Sequence, residues 1–367
     1  MRKFASKARE YVTLFSLIVY AITLVSLVLF VIVINSVSFA DFFNYYLSAP
    51  TRAIMAWSTV IFPFSVAEVV VLLSPLLLVL LIFIAIKCAK KGKKASMKFL
   101  SVVLAVLCLV FVTFVWTYSS GYHNSKIEDK MGLDRGAISK EELFSAYVIV
   151  VNELNALSEY IEYDETGASV MPFSYSEMSD KICQAYEKFG DKYDVVQTFP
   201  SRIKPLIISE PMTYTHLSGI YSFMSGETNV NVNYPDFVIV STSAHEMAHQ
   251  RGVAREDECN FLAFAVLLES DDPFLRYSAY LDVYSNLLSA LLSESKELYA
   301  SVKLDERVRG DRISYSKFFQ KYAESKASEV AGSINDSYLQ ANGQEQGTKS
   351  YDMITELVCA YLLNKTK

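Results

Sequence analysis

Three long runs of apolar residues dominate the first third of the chain, at residues 11–35, 69–86 and 99–118. A helix rises about 1.5 Å per residue, so about 20 residues cross the ~30 Å hydrocarbon core of a bilayer. Each run is of about that length, and the pattern therefore predicts three membrane-spanning helices. A soluble single-domain protein does not carry apolar runs of this kind.

After residue 118 the pattern is that of a folded domain whose apolar residues recur at helical spacing. Ser139 and Glu142 form a capping signal that begins a predicted helix at 139–163. Prolines and glycines interrupt short apolar runs from residue 203, and residues 228–233 alternate as a half-exposed strand does. Further helices are predicted at 176–188, 241–251, 256–270, 276–300, 312–331 and 349–364. The predicted fold class is mainly α, with a small sheet set in an α+β domain.

Charge divides the chain at the same place. Residues 1–118 hold 11 basic and three acidic residues, a net +8; the whole chain carries −6, which leaves −14 for residues 119–367. Basic residues precede the first span and separate the second from the third, so the positive-inside rule places the N-terminus in the cytoplasm. We expect a membrane anchor at 1–118, with the aromatic segment 42–65 along the outer interface, and an extracytoplasmic domain at 119–367. The acidic domain excludes a nucleic-acid partner.

Two of the four histidines lie in one pentapeptide, His245-Glu246-Met247-Ala248-His249. Helix positions i and i+4 share a face, so both imidazoles can bind one ion at about 2.0–2.1 Å, the usual Zn–N distance. Glu246 lies beside that face, where a carboxylate can take a proton from metal-activated water. The motif predicts a Zn²⁺ site with His245 and His249 as ligands and Glu246 as general base.

A third ligand is expected from the acidic stretch that follows. Gly252 can adopt a positive φ and turn the chain back toward the metal. The next helix then begins with Glu256, Asp257 and Glu258. Glu256 and Asn260 are four residues apart, so a ligand and a side chain that orients the ligands can share one helix face. We predict Glu256 as the ligand and Asn260 as its support, with Glu258 as the alternative ligand.

The H-E-x-x-H helix followed by residues 256–260 resembles the gluzincin pattern. Cys259 and Asn260 depart from that pattern, and the interval from His249 to Glu256 is shorter than in most gluzincins. Residues 204–263 resemble more closely an uncharacterised bacterial family of multi-pass membrane proteins with an outer zincin-like domain. This resemblance extends over most of residues 120–365. It implies a zincin-like fold and a zinc metallopeptidase in the bacterial plasma membrane.

The resemblance also implies a role for the strand that precedes the motif. In zincin-like folds, the edge strand above the metal pairs with the backbone of a peptide substrate. Residues 228–233 would be that strand, and the expected substrate-binding residues are Asn229, Asn231 and Asn233.

The sequence therefore predicts a membrane-anchored zinc peptidase whose partners are the lipid bilayer and a peptide or protein substrate at the cell envelope. A hydrogen-bond donor to the transition state is expected from His216, Tyr221 or Tyr351, and we take Tyr351 as the catalytic candidate. The alternative is a catalytically silent zinc-binding domain that serves as an envelope sensor or scaffold. The intact Glu246 argues against it, because a structural zinc site needs no base and fills all four positions with protein ligands.

Overall fold

The computed structural model describes residues 10–323 and 325–365 of the chain. Residues 14–117 are helical almost throughout. Its elements are α1 (Leu14–Asn35), α2 (Val37–Phe43), a π-helical turn (Asn44–Ser48), α3 (Ala49–Val60), α4 (Val66–Lys90) and α5 (Lys93–Thr117).

Within the described ranges, three helices are long and apolar enough to cross a membrane: α1, α4 and α5, with mean hydropathy of 3.1, 3.3 and 2.8. They confirm the three predicted apolar helices and make a membrane location plausible. Helices α1 and α5 pack closely, and the Ser16 and Ser101 hydroxyls lie 3.1 Å apart between them. The outward faces carry exposed leucine and valine, which suits contact with lipid.

Eleven further helices follow in the described part of the chain. They are α6 (Ile127–Met131), α7 (Lys140–Leu157), α8 (Tyr175–Tyr193), α9 (Ser209–Thr213), α10 (Asp236–Gln250), α11 (Glu256–Leu267), α12 (Pro273–Glu294), α13 (Lys296–Ala300), α14 (Glu306–Gln320), α15 (Lys326–Ala341) and α16 (Thr355–Lys365). Short 3₁₀ helices occupy Ser119–Tyr122, Ser158–Tyr160 and Gly347–Asp352. The predicted mainly helical class is confirmed, and Ser139 caps α7 through the expected capping box with Glu142.

Two predicted helices are each divided in the structure. The predicted helix 276–300 breaks at Ser295, whose extended backbone ends α12 and whose hydroxyl caps α13. The predicted helix 312–331 is wrong in the same way, because the Ser325 hydroxyl accepts the Ala327 N–H at 3.1 Å and begins α15 as a new helix. Serine side chains that satisfy free backbone N–H groups favour such starts.

The small predicted sheet is present as β3 (Ile203–Pro205), β4 (Gly219–Ser222) and β5 (Glu227–Val230), besides a separate hairpin of β1 (Glu162–Tyr163) and β2 (Ser169–Val170). Strand β5 lies in the middle, parallel to β3 and antiparallel to β4. The prediction that residues 228–233 form an edge strand is therefore wrong, because both sides of β5 are already paired. The two edge strands of this sheet are β3 and β4.

Helix α10 is the centre of the domain after residue 118. It packs against β4 and β5 on one side and against α11 and α12 on the other. Most of its residues are buried, including the apolar residues Val240, Ala244 and Met247, each at 0% exposure. The motif helix is therefore held from several sides, which fixes the direction of its side chains.

The segment between α1 and α4 packs onto this domain rather than lying apart from it. Arg52 on α3 is 1% exposed, and its guanidinium donates to the Thr117 carbonyl at 3.0 Å and the Arg251 carbonyl at 3.3 Å. The Asn44 side chain donates to the Gly252 carbonyl at 3.1 Å. These bonds occupy carbonyls at the end of α10, which helix geometry leaves without partners.

A buried ion pair joins the sheet to the start of α4. Lys204 on β3 and Glu227 on β5 lie 3.4 Å apart with side-chain exposures of 2% and 0%. The Lys204 ammonium also donates to the carbonyls of Thr59, Phe62 and Phe64. The Glu227 carboxylate accepts the N–H groups of Val66 and Ala67, both at 2.9 Å, and so caps α4.

Candidate metal centre

His245 and His249 lie one turn apart on α10 and direct their rings to the same point. Their Nε2 atoms are 3.1 Å apart, and Glu256 Oε2 lies 3.2 Å from the first and 3.4 Å from the second. A tetrahedral ion with bonds of about 2.05 Å has ligand-to-ligand edges of about 3.3 Å. The predicted cluster of two histidines and one glutamate is therefore present, with spacing that fits one metal ion.

A tight turn brings Glu256 to the histidines. Gly252 has a φ of 93° and ends α10, with the Val253 N–H bonded to the Ala248 carbonyl at 3.1 Å. This is the positive-φ ending that glycine favours. Helix α11 then begins at Glu256, where a carboxylate also suits the positive end of the helix dipole.

Acceptors behind the two rings fix which nitrogen faces the cluster. His245 Nδ1 lies 2.7 Å from Asn260 Oδ1, and His249 Nδ1 lies 3.0 Å from the Val253 carbonyl oxygen. Each contact places the ring proton on Nδ1 and leaves Nε2 as an unprotonated ligand atom. Asn260 thus occupies the supporting position that the sequence predicts, and the Val253 carbonyl plays the same part for His249.

Three acceptor atoms then face one another in a buried place. Glu256 is 5% exposed, and its Oε2 has no hydrogen-bond donor in the described part of the chain when both rings carry their protons on Nδ1. Burial raises the pKa of Glu256, whereas positive charge on the two rings would lower it to about 2. Converging lone pairs repel unless a cation lies between them, and nitrogen with carboxylate is a donor set that zinc accepts. The residues present therefore fit a divalent metal.

The neighbouring acids face other partners. Asp257 pairs with Arg135 at 2.7 Å, and Glu258 pairs with Arg255 at 2.6 Å. Burial raises the pKa of Glu258 to about 7 although Arg255 lowers it. Of the two candidates for the third ligand, the structure brings Glu256 to the histidines and directs Glu258 elsewhere.

Glu246 lies on the cleft beside the cluster. It is 6% exposed, and burial raises its pKa to about 8. The Gly219 backbone on β4 lies so close that a Cβ there would stand 2.7 Å from Glu246 Oε1. Strand β4 thus packs directly onto the predicted base, and its edge forms one wall of the cleft.

The cleft has a volume of about 460 Å³ and is lined by residues that include His245, Glu246, Gly219 and Asn260. The Asn231 N–H donates to the Ser218 carbonyl at 2.8 Å, so the backbone of Ser218 points toward β5. Along an antiparallel strand, residues whose backbone groups bond the partner strand alternate with residues whose backbone groups point away from it. Gly219 and Tyr221 therefore direct their backbone groups away from β5. The Tyr221 backbone hydrogen-bonds Glu246.

The three predicted substrate-binding asparagines are engaged inside the fold. The Asn229 amide donates to the Ile220 carbonyl at 3.1 Å, and the Asn231 amide donates to the Leu217 carbonyl at 3.0 Å. The Asn233 amide bonds the hydroxyls of Thr213 and Tyr322, both at 3.0 Å. Their assignment to an edge strand is corrected, because β4 covers the side of β5 that faces the cleft.

The three candidate donors differ in position. His216 lines the cleft, and its Nε2 lies 2.7 Å from the Tyr322 carbonyl oxygen. Tyr221 is 8% exposed, and its ring packs 5.6 Å from that of Tyr118. The side chain of Tyr351 lies outside the described residues; its backbone belongs to the 3₁₀ helix Gly347–Asp352, in which Thr348 lines the cleft.

Two contacts of His249 could not be predicted from the sequence. The Tyr118 hydroxyl lies 2.9 Å from His249 Nδ1, and the Cys259 sulfur lies 3.3 Å from the same atom. Burial raises the pKa of the Cys259 thiol, which keeps it protonated. Tyr118 is 131 residues from His249 in the chain, so only the fold brings them together. Cys183, Cys259 and Cys359 are all free thiols.

The chain belongs to a family of proteins of unknown function, DUF3810, whose profile matches residues 39–359. No curated protein and no solved structure matches it. The resemblance to an uncharacterised family is thereby confirmed, whereas the zincin-like fold and the peptidase activity stay predictions.

Proposed function

We propose that this member of the DUF3810 family is a zinc-dependent peptidase with a zincin-like domain at residues 119–367. The observation that carries the proposal is the convergence of two histidine nitrogens and one carboxylate oxygen beside a buried glutamate on a cleft. A structural zinc site fills all four positions with protein atoms. Three ligands from the described residues, next to a cleft, leave a position for water or substrate.

Each residue of the cluster then has a separate task. His245, His249 and Glu256 would hold zinc, while Asn260 and the Val253 carbonyl keep the two rings in the ligating tautomer. Zinc bound there would supply a Lewis acid that polarises a peptide carbonyl and lowers the pKa of water.

Glu246 is the group placed to move a proton. As general base it takes a proton from the water that attacks the peptide carbon, and as general acid it gives that proton to the departing amine. Burial raises its pKa to about 8, so the carboxyl is mostly protonated at pH 7 when no cation is near. A divalent cation beside it lowers that pKa and favours the base.

Strand β4 and the 3₁₀ helix provide the remaining parts. The outward backbone groups of Gly219 and the Tyr221 carbonyl would pair with an extended peptide, a role that moves from the predicted strand to its neighbour. Tyr351 remains the proposed donor to the transition state, on a helix that reaches the cleft at Thr348.

We further place the site outside the bacterial plasma membrane. The charge asymmetry supports this orientation, because the basic residues lie before α1 and around the turn between α4 and α5. Labelling of Tyr160→Cys, at a site 73% exposed, by a membrane-impermeant maleimide on intact cells tests it. Labelling only after lysis would reverse the assignment.

The test of the activity uses the full-length chain in detergent, with zinc content and hydrolysis of a degenerate fluorogenic peptide library measured together. Glu246→Gln keeps zinc and loses at least about 1000-fold in hydrolysis, the upper part of the range for general acid–base catalysis. Tyr351→Phe keeps zinc and loses about 100-fold. Glu187→Gln, an exposed glutamate on α8, is the matched control and changes neither quantity.

Equal turnover by Glu246→Gln and the wild type would remove Glu246 from the mechanism. A wild-type chain that holds one zinc ion but hydrolyses no peptide would favour the silent sensor or scaffold instead.

A further inference from the structure

Two spans mark the level of the bilayer surface. Residues 99–117 of α5, after the last lysine, extend about 27 Å, and residues 66–86 of α4, before Lys87, extend about 30 Å. Both lengths match the ~30 Å hydrocarbon core. Val66 and Thr117 therefore lie at the same face of the core, opposite the lysine-rich turn.

The turn between β4 and β5 lies at that face. The Phe223 ring is 5.7 Å from that of Phe114, which is almost one turn inside the end of α5, and the Phe223 carbonyl accepts the Thr117 hydroxyl at 3.4 Å. On the other side of the turn, Glu227 caps the first residues of α4. Met224 stands between these two anchors and is 56% exposed.

Most of the exposed side chains around this turn are apolar. We call them the apolar rim, and each is more than a third exposed: Ile54, Trp57, Ile61, Phe62, Phe64, Ile220 and Met224. Gly226 in the turn lies against Met55 and Ala56 of α3, which joins the two halves of the rim. Residues 53–67 and 217–226 contain no lysine, arginine, aspartate or glutamate. Such a surface beside the ends of two spans suits the boundary between headgroups and acyl chains.

The metal cluster lies immediately above this level. Tyr118 follows the last residue of α5, and its hydroxyl is 2.9 Å from His249 Nδ1. Strand β4 leads from the turn at Phe223 to Gly219, which packs on Glu246. At about 3.3 Å per residue, the four residues of β4 span roughly 13 Å between lipid and base.

We infer that the cleft opens onto the bilayer surface and that its substrate is a peptide segment adjoining a membrane-spanning helix of another protein. The inference rests on the proposed peptidase function. A segment held at the headgroups meets the outward edge of β4 without leaving the surface, and its anchoring raises its effective concentration there. A freely soluble peptide has neither advantage.

The first measurement locates the rim in vesicles of phosphatidylcholine and phosphatidylglycerol. A nitroxide is attached to Met224→Cys in the full-length chain with Cys88→Ser and Cys108→Ser, and its collisions with oxygen and with a water-soluble nickel chelate are compared. Met224→Cys favours oxygen, whereas the matched control Tyr160→Cys favours nickel. Equal behaviour of the two sites would overturn the inference. So would spin–spin broadening at Met224→Cys, because a second copy would then cover the rim.

The second measurement uses the same vesicles and a degenerate peptide library in two forms, one soluble and one fused to a spanning helix. We expect about 100-fold faster cleavage of the anchored form at equal total concentration. Equal rates would overturn this inference and leave the peptidase function standing. Cleavage of neither form by the zinc-loaded chain would remove both.

Discussion

Replacing Gly219 by alanine tests whether β4 positions the base. A Cβ at this position would stand 2.6 Å from Thr242 Cγ2 and 2.7 Å from Glu246 Oε1. Ordinary contact with carbon begins near 3.4 Å, so the carboxylate must move about 0.7 Å or β4 must move by as much. The φ of Gly219 lies outside the left-handed region, so the backbone itself accepts alanine.

The size of the effect follows from that displacement. If a misplacement of 1 Å costs about 100-fold in rate, 0.7 Å costs about 25-fold. Overpacking of this kind also lowers the free energy of unfolding by about 1–3 kcal/mol. The zinc content is unchanged, since the methyl group meets neither histidine nor Glu256 among its nearest atoms.

The assay measures kcat/KM on the best library peptide, zinc content and thermal unfolding of the full-length chain. Gly332→Ala is the matched control, because Gly332 lines the same cleft on α15 and a Cβ there meets no atom within 4 Å. Gly332→Ala retains activity, and its free energy of unfolding rises by up to about 1 kcal/mol because alanine favours a helix more than glycine does. Wild-type kcat/KM in Gly219→Ala would refute the positioning of Glu246 by β4, and loss of zinc would refute the separation of base from ligands.

Two further substitutions test the third metal ligand and the buried ion pair of the sheet. Glu256→Gln weakens zinc affinity by more than about 100-fold, which exceeds the effect of losing a residue that only hydrogen-bonds a ligand. Asp257→Asn is the control and retains the zinc affinity of the wild type. Competition with a chromogenic chelator measures both affinities, and equal values would return the choice of ligand to Glu258. Glu227→Gln leaves Lys204 buried without its counter-charge and lowers the free energy of unfolding by about 3 kcal/mol; denaturation of the full-length chain checks it, and a change under 1 kcal/mol would show that the three carbonyls alone satisfy Lys204.

The metal cluster could be predicted because its geometry is local. Helix periodicity alone brings His245 and His249 together, and a glycine turn followed by a helix start limits what can reach them. Glu256 and Asn260 follow from the same periodicity on the next helix. The three apolar helices could be predicted equally well, because their length and composition show directly in the sequence.

The order of the strands in the sheet could not be predicted from such local patterns. Residues 228–233 alternate as a half-exposed strand does, but β3 and β4 lie on both sides of β5, and pairing between distant segments decides which strand is the edge. The alternation contains no information about strand order, and the half-exposed pattern it predicts is wrong, because all four residues of β5 are buried. The burial of Asn229 and Asn231 follows from that order, which is why their side chains bond within the fold.

Contacts across the anchor were missed for a related reason. In the sequence, Arg52 is the single basic residue of a loop. Its partners are the backbone carbonyls of Thr117 and Arg251, which every residue type has, so no pattern of side chains predicts the contact. Lys204 is hidden in the same way, because its partners include three backbone carbonyls. Only the fold shows that these charges bind the anchor to the domain.

The bonds of Arg52 and Asn44 give the molecule an order of assembly. Both side chains are synthesised some two hundred residues before the carbonyls of Arg251 and Gly252 that they occupy. The end of α10 is therefore completed by a segment that lies between two of the apolar helices and is synthesised long before it. A fragment beginning at residue 119 would lack this segment and the three carbonyls that accept hydrogen bonds from Lys204. The end of the helix that carries His245 and His249 is complete only in a chain that includes the segment between α1 and α4.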